Sequence, residues 1–290
     1  MATERPKIDT MWNYGKPEET REKFLELLKE QEATAPLEYT LELKTQIART
    51  FSLQANFEKA HGILDEVESQ LTSDTPVAKV RYLLERGRSF NSDGKKEKAR
   101  QLFVSSYSEA RTISAANYAI DAAHMVAIAA KDLDEKIAWS EKGIAEAKSA
   151  EDPKVKRWIG VFYNNMGWDL FEAKRYEEAL EKFQQCENFH REQANEGPLS
   201  RAKWSVAKTY RLLGKTEESL KIQLALLEAT NGVDESGYGY EELAELYFVK
   251  GDKEKSSNFF RKAYELLSKD VWLQKNEGAR LERMKKLSER

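Results

Sequence analysis

Cysteine is nearly absent, with one, Cys186, in 290 residues. A lone thiol makes no internal disulfide, which excludes a stapled extracellular scaffold and suits a reducing compartment. The three histidines, His61, His124 and His190, stand apart from one another and from Cys186. No Cys/His set has zinc-ligand spacing, and none is expected to hold a metal. No segment approaches the ~18 uninterrupted apolar residues of a membrane span. The first ten residues also lack the apolar run of a signal peptide and read as a polar, loose tail. The expectation is a soluble cytoplasmic protein with no membrane partner. An excess of one charge is lacking too: 47 basic and 50 acidic residues leave a formal charge of −3. Without a basic field, nucleic-acid binding is excluded as a main role. There is no glycine-rich nucleotide fingerprint, P-loop or nucleophile elbow. The expectation is therefore no enzyme and no cofactor.

Proline (6) and glycine (14) are also scarce, while charged residues make up 33% and hydrophobic residues 40% of the chain. That is the composition of a long-helix protein whose few breakers fall between apolar-periodic runs. The stretch 158–193 shows the organisation best. Apolar residues keep helical spacing up to Phe171, pause over the polar run from Glu172 to Arg175, and resume from Tyr176. Two amphipathic helices joined by a tight turn account for this pattern.

Within the two helices Tyr163, Met166, Gly167 and Leu170 are followed by Ala179 and Phe183. This series resembles the tetratricopeptide repeat (TPR) pattern W-x2-L-G-x2-Y…A-x3-F, with conservative changes. Further units carry it with unequal fidelity. Ala48 and Phe51 precede Ala60 and Leu64; Gly87 and Phe90 precede Ala99 and Phe103; Ala207 and Tyr210 precede Ser219 and Leu220; Ala244 and Tyr247 precede Ser256 and Phe260. The unit near Tyr118 is the most degenerate. Small residues at Ala48, Gly87, Gly167, Ala207 and Ala244 let paired helices approach, and the bulky residues fill the seam to the neighbouring unit. Gly167→Leu is expected to overpack such a crossing and Gly167→Ala to be mild.

The resemblance implies an all-α fold, an α-α superhelix of about six antiparallel helix pairs. Residues 1–40 would form a tail and capping helix and residues 41–272 the repeats, with units starting near 41, 80, 118, 160, 200 and 237. Residues 273–290 would form a C-terminal capping helix. Repeats of this family typically run 34 residues. Here they recur at roughly 37 to 42 and lack the closing proline, with Pro76, Pro153 and Pro198 opening helices instead. In this they resemble the longer repeats of kinesin-light-chain-like proteins and bacterial peptide sensors.

In this family a stripe on the first helix of each unit faces the inside of the superhelix and binds ligands. Here that stripe carries Asn164, Asn165, Trp168 and Phe171, then Arg201, Trp204, Lys208 and Arg211, then Tyr238, Glu241 and Glu245. Asn amides donate and accept together and can clamp a peptide backbone. Trp and Arg often carry interface energy. The stripe therefore reads as a groove for a protein or peptide partner, extended and acidic because three cations cluster there. The alternatives are that Trp168 and Trp204 fill helix seams, that the chain is a self-associating scaffold or homo-oligomer, or that it senses a short signalling peptide. Chaperone-binding members of the family grip a carboxylate with Lys, Asn, Asn and a further cation. Asn165 and Arg201 match two of these, but Ala122 and Val126 replace the first two, so chaperone-tail binding is not implied. The pairs Glu177-Glu178, Glu217-Glu218 and Glu241-Glu242 read as solvated helix faces, His61 and Asp65 as an ordinary surface pair, and Cys186 as packed and inert.

Overall fold

A helix that must reverse within a few residues needs one residue in left-handed backbone to close its C-terminus. The chain supplies one in each well-matched unit: Ala55 (φ 57°), Gly94 (77°), Lys174 (62°), Gly214 (75°) and Gly251 (76°). The next amide donates back five residues in each case, as from Lys95 to the Phe90 carbonyl (2.8 Å) and from Arg175 to that of Leu170 (2.9 Å). The computed structural model of the chain describes residues 5–31 and 34–289. Among these residues there is no strand.

The described residues fall into two compact units that divide after Phe162. The first holds a 3-10 turn, Ile8–Met11, and α1 (Pro17–Gln31). Helix pairs follow: α2 (Leu37–Leu53) with α3 (Phe57–Glu68), α4 (Pro76–Ser92) with α5 (Lys96–Thr112), and α6 (Ala116–Ala129) with α7 (Leu133–Ser149). After the short α8 (Pro153–Lys156), α9 (Trp158–Glu172) begins in the first unit and ends in the second. The second unit continues with α10 (Tyr176–Glu192), α11 (Glu196–Leu212), α12 (Thr216–Ala229), α13 (Tyr238–Val249), α14 (Lys253–Leu267), α15 (Val271–Asn276) and α16 (Gly278–Ser288). Leu281, Met284 and Leu287 of α16 are buried against Tyr240, Phe260 and Leu267. No helix among the described residues is long and apolar enough to cross a membrane.

The crossings are built around the small positions. Twelve residues after Ala207 and Ala244 come Ser219 and Ser256, whose hydroxyls donate to those two alanine carbonyls at 2.7 and 3.0 Å. Sixteen residues after Gly87 and Gly167 come Phe103 and Phe183, both fully buried. Their rings lie directly on the glycine backbone. A Cβ built on Gly167 would sit 2.5 Å from Phe183 Cδ1 and 2.9 Å from its Cζ, and one on Gly87 would sit 2.5 Å from Phe103 Cε1. The expectation that Gly167→Ala is mild is therefore corrected, because a single methyl already collides with a fully buried ring in a close-packed interior.

The degenerate unit near Tyr118 has a physical cause. Between α6 and α7 no residue takes positive φ; Ala130 is extended (φ −62°, ψ 144°), and Asp132 instead caps α7 through the Glu135 amide. Its small position shifts as well. Gly143 lies on α7 and receives Phe162 from α9, where a Cβ would meet Cε2 at 2.5 Å.

Lys174 holds left-handed backbone without being glycine, which costs roughly 1–2 kcal/mol for an L-residue. Lys174→Gly removes that strain against roughly 0.5–1 kcal/mol of added chain entropy. A small rise in melting temperature is expected, and a fall would show that the lysine side chain makes a stabilising contact.

Candidate functional site

The close crossing at each small residue fixes the rotation of the first helix. The residues two before and one after it then project to the same side, because positions three apart share a helix face. In the first unit this stripe is an ion-pair ladder. Arg49 Nη1 donates to Glu85 Oε2 at 2.8 Å, Arg88 Nη1 to Glu85 Oε1 at 2.7 Å, and Arg88 Nη2 to Asp121 at 2.5 and 2.6 Å. Glu85 is only 4% exposed. Burial would raise its pKa, but Arg49 and Arg88 outweigh that and hold it below the usual carboxylate value.

The second unit repeats the device further along. Glu242, 1% exposed, accepts from Lys208 Nζ at 2.7 Å and from Arg211 Nε at 2.7 Å. Burial again works against its ionised form and the two cations overcome it, so its pKa is lowered. Glu241 accepts from Arg280 Nε at 2.7 Å, and Glu245 from Arg283 Nη2 at 3.0 Å. The expectation that Glu241-Glu242 is a solvated face is overturned: both are buried, each against its own cation. Glu177, Glu178, Glu217 and Glu218 are exposed.

On α9 the ladder positions carry no charge. Asn165 stands two before Gly167 and Trp168 one after it. Asn164 Nδ2 donates to Asn165 Oδ1 at 3.2 Å. Trp168 meets Phe171 edge-on at 5.1 Å between ring centroids, and Trp204 at 6.0 Å. Trp204 in turn meets Tyr238 edge-on at 6.3 Å, with Lys208 Nζ 4.9 Å from the Trp204 ring centre. A half-buried aromatic row therefore runs Phe171, Trp168, Trp204, Tyr238 across α9, α11 and α13. Trp168 also packs edge-on at 5.1 Å against buried Phe183, so one ring serves both stripe and seam. The Trp204 indole N–H is buried and has no hydrogen-bond partner among the described residues.

The eight candidate residues do not form one basic surface. Asn164, Asn165, Trp168, Phe171 and Trp204 come together, while Lys208 and Arg211 are tied to Glu242. Arg201 is exposed and acts elsewhere, on α10. There burial and the Arg201 charge lower the His190 pKa, while burial pushes the Cys186 thiol up to about 11 despite Arg201. Cys186 is thus packed and a poor nucleophile at neutral pH. His61 and Asp65 are both engaged by Arg86, which places a guanidinium where a shared cation would sit.

The sequence reading missed the partners of these groups. A cation one after a small residue, and an acid two before the next, is a readable signal once the helix rotation is known. Reading the acids as adjacent pairs concealed it.

No protein-family model and no curated protein sequence matches the chain. Solved structures do. A Signal Transduction ATPase with Numerous Domains protein with a tetratricopeptide repeat sensor, from Pyrococcus horikoshii, matches with TM-score 0.75 at 19% identity, over 93% of this chain and 42% of that one. The chain thus spans less than half of the archaeal protein's length. The apo form of RapI matches with TM-score 0.76 at 14% identity, over 91% of this chain and 74% of its own. NprR in complex with its cognate peptide NprX matches with TM-score 0.54 at 15% identity, over 97% and 81%. At these identities the likeness shows the fold, an all-α TPR-type solenoid of consecutive packed helix pairs.

Proposed function

We propose that the chain is a non-enzymatic protein-interaction module whose second unit takes an extended peptide segment of a partner along α9, α11 and α13. The observation that carries this reading is the break in the ion-pair ladder. Where neighbouring stripe positions are neutralised in place, α9 presents two amides and the head of an aromatic row that includes the buried Trp204 indole N–H, without a partner among the described residues. An aromatic row favours apolar side chains, and the amides favour a peptide backbone. The peptide bound to NprR, a protein of similar fold, supports the same class of partner.

The acidic preference becomes narrower than the three cations suggest. Lys208 and Arg211 already share Glu242 and Arg201 lies toward α10, so the preference for acidic segments should be slight and salt should weaken binding only modestly. Calorimetric titration of a co-purified partner tests this. Asn164→Ala with Asn165→Ala should weaken binding about tenfold, the worth of two modest hydrogen bonds. Arg201→Ala, on the α10 side, should leave binding unchanged. Affinity unchanged in the folded double variant would exclude the stripe and favour a scaffold role.

A further inference from the structure

Residues 5–10 read as a loose tail in the sequence, but the structure places them otherwise. The segment lies against the first unit as a bound peptide would. Its backbone is extended at Lys7 (ψ 107°) and again at Trp12 (ψ 132°) on either side of the single 3-10 turn. The Pro6 carbonyl accepts from the Tyr39 hydroxyl at 2.9 Å. Ile8, 5% exposed, enters an apolar cluster with Phe24, Leu43 and Ile47. Asp9 accepts from Arg81, 72 residues away in the chain. The Trp12 indole donates to Gln46 Oε1 at 3.0 Å and meets Phe24 edge-on at 5.4 Å.

The receiving residues also have partners outside the segment. Arg81 is 5% exposed and is held from below by Glu42 at 3.1 Å and the Tyr118 hydroxyl at 2.8 Å, so Asp9 does not set its position. The third nitrogen of the same guanidinium, Nε, is buried without a partner among the described residues. Gln46 is anchored by Thr45 at 3.1 Å and Glu85 at 3.4 Å. The Asp9 side chain is 61% exposed, so solvent and a competing carboxylate reach the same bond. Beside it opens a cleft of about 720 Å³, whose walls include Asp9, Tyr39, Glu42, Arg81, Asn117 and Tyr118.

We propose that this face of the first unit is a second peptide-binding surface, filled in cis by residues 5–12. In trans it takes an extended peptide with an apolar residue, a carboxylate beside it and an aromatic ring three residues on. The apolar residue replaces Ile8, the carboxylate takes Arg81, and the ring takes the place of Trp12 against Gln46. Because the segment is tethered, its effective concentration is of the order of millimolar, so an outside peptide competes weakly until the tether loosens. The surface is independent of the α9 stripe, and either assignment can fail alone.

The test uses a fluorescein-labelled peptide of residues 5–14 and the full chain, read by anisotropy. Ile8→Ala with Trp12→Ala weakens the segment and leaves the receiving residues Arg81, Gln46, Phe24, Leu43 and Ile47 unchanged. This variant should bind the peptide at least tenfold more tightly than the parent does, and a peptide carrying Asp9→Asn should lose at least tenfold. Asp9→Asn in the chain alone, a change at an exposed side chain, should give a smaller gain in the same direction. It decides the matter if the double variant does not fold. Equal binding to parent and variants, binding to none of them, or indifference to the peptide's carboxylate would overturn the proposal.

Discussion

Glu242→Gln is expected to destabilise the second unit by about 3 kcal/mol, the lower end of the cost of breaking a buried ion pair from one side. Glutamine is nearly isosteric, so packing is retained and the loss is electrostatic. Lys208 and Arg211, with side chains 18% and 17% exposed, would keep their charges beside a neutral amide. That residual contact with water is why the lower end applies. The pH dependence follows with a definite sign. Glu242 and Glu85 have folded pKa values below the ordinary 4.5. Their contribution is fully present above pH 4.5 and is lost as pH falls through their folded values. Acid should therefore cost Glu242→Gln less than it costs the parent. Urea denaturation at pH 7 and at pH 4, followed by hydrogen exchange of α11 and α13 amides, reads both effects. Identical midpoints for variant and parent at pH 7 would mean that water already solvates the pair.

Gly167→Leu should cost about 3 kcal/mol, the upper end of the overpacking range. Phe183 cannot yield easily, being fully buried with Trp168 edge-on to it at 5.1 Å. Helix propensity returns at most about 1 kcal/mol. Gly167→Ala should also destabilise, by less, and Phe183→Leu added to it should recover part of the loss by removing the ring that the methyl strikes. Because Phe183 supports Trp168, the leucine variant should also weaken ligand binding. A melting temperature equal to that of the parent would show that the crossing is looser than its geometry.

The repeat was legible because its signals are local. Small residues, a bulky residue sixteen positions on and a polar turn between two apolar runs are all written in the chain. What escaped depended on distances the sequence does not state. Gly167 was readable as a small position, but not that Phe183 lies on its backbone closely enough for an added methyl to strike it. Glu241 and Glu242 looked alike beside other acidic pairs, and only the rotation of α13 sends each to a different cation, Arg280 and Arg211. The nearness of Trp168, Phe171 and Trp204 was legible, because their spacing follows the helix period. The dispersal of the basic cluster was not, since Arg201 and Arg211 share a stripe in sequence but turn to α10 and α13 in the fold. Residues 5–10 carry no periodicity at all, and their docking rests on Tyr39, Arg81 and an apolar cluster around Phe24, all distant from them in the chain.

Photo-crosslinking from the stripe tests its role most directly. A benzoylphenylalanine at position 171, beside Trp168, should capture the co-purified partner. The same group at position 181, on the exposed side of α10, should not. Capture at 171 should weaken when Asn164→Ala and Asn165→Ala are added. Capture from 181 with none from 171 would contradict the account and move the binding surface to the outer helices.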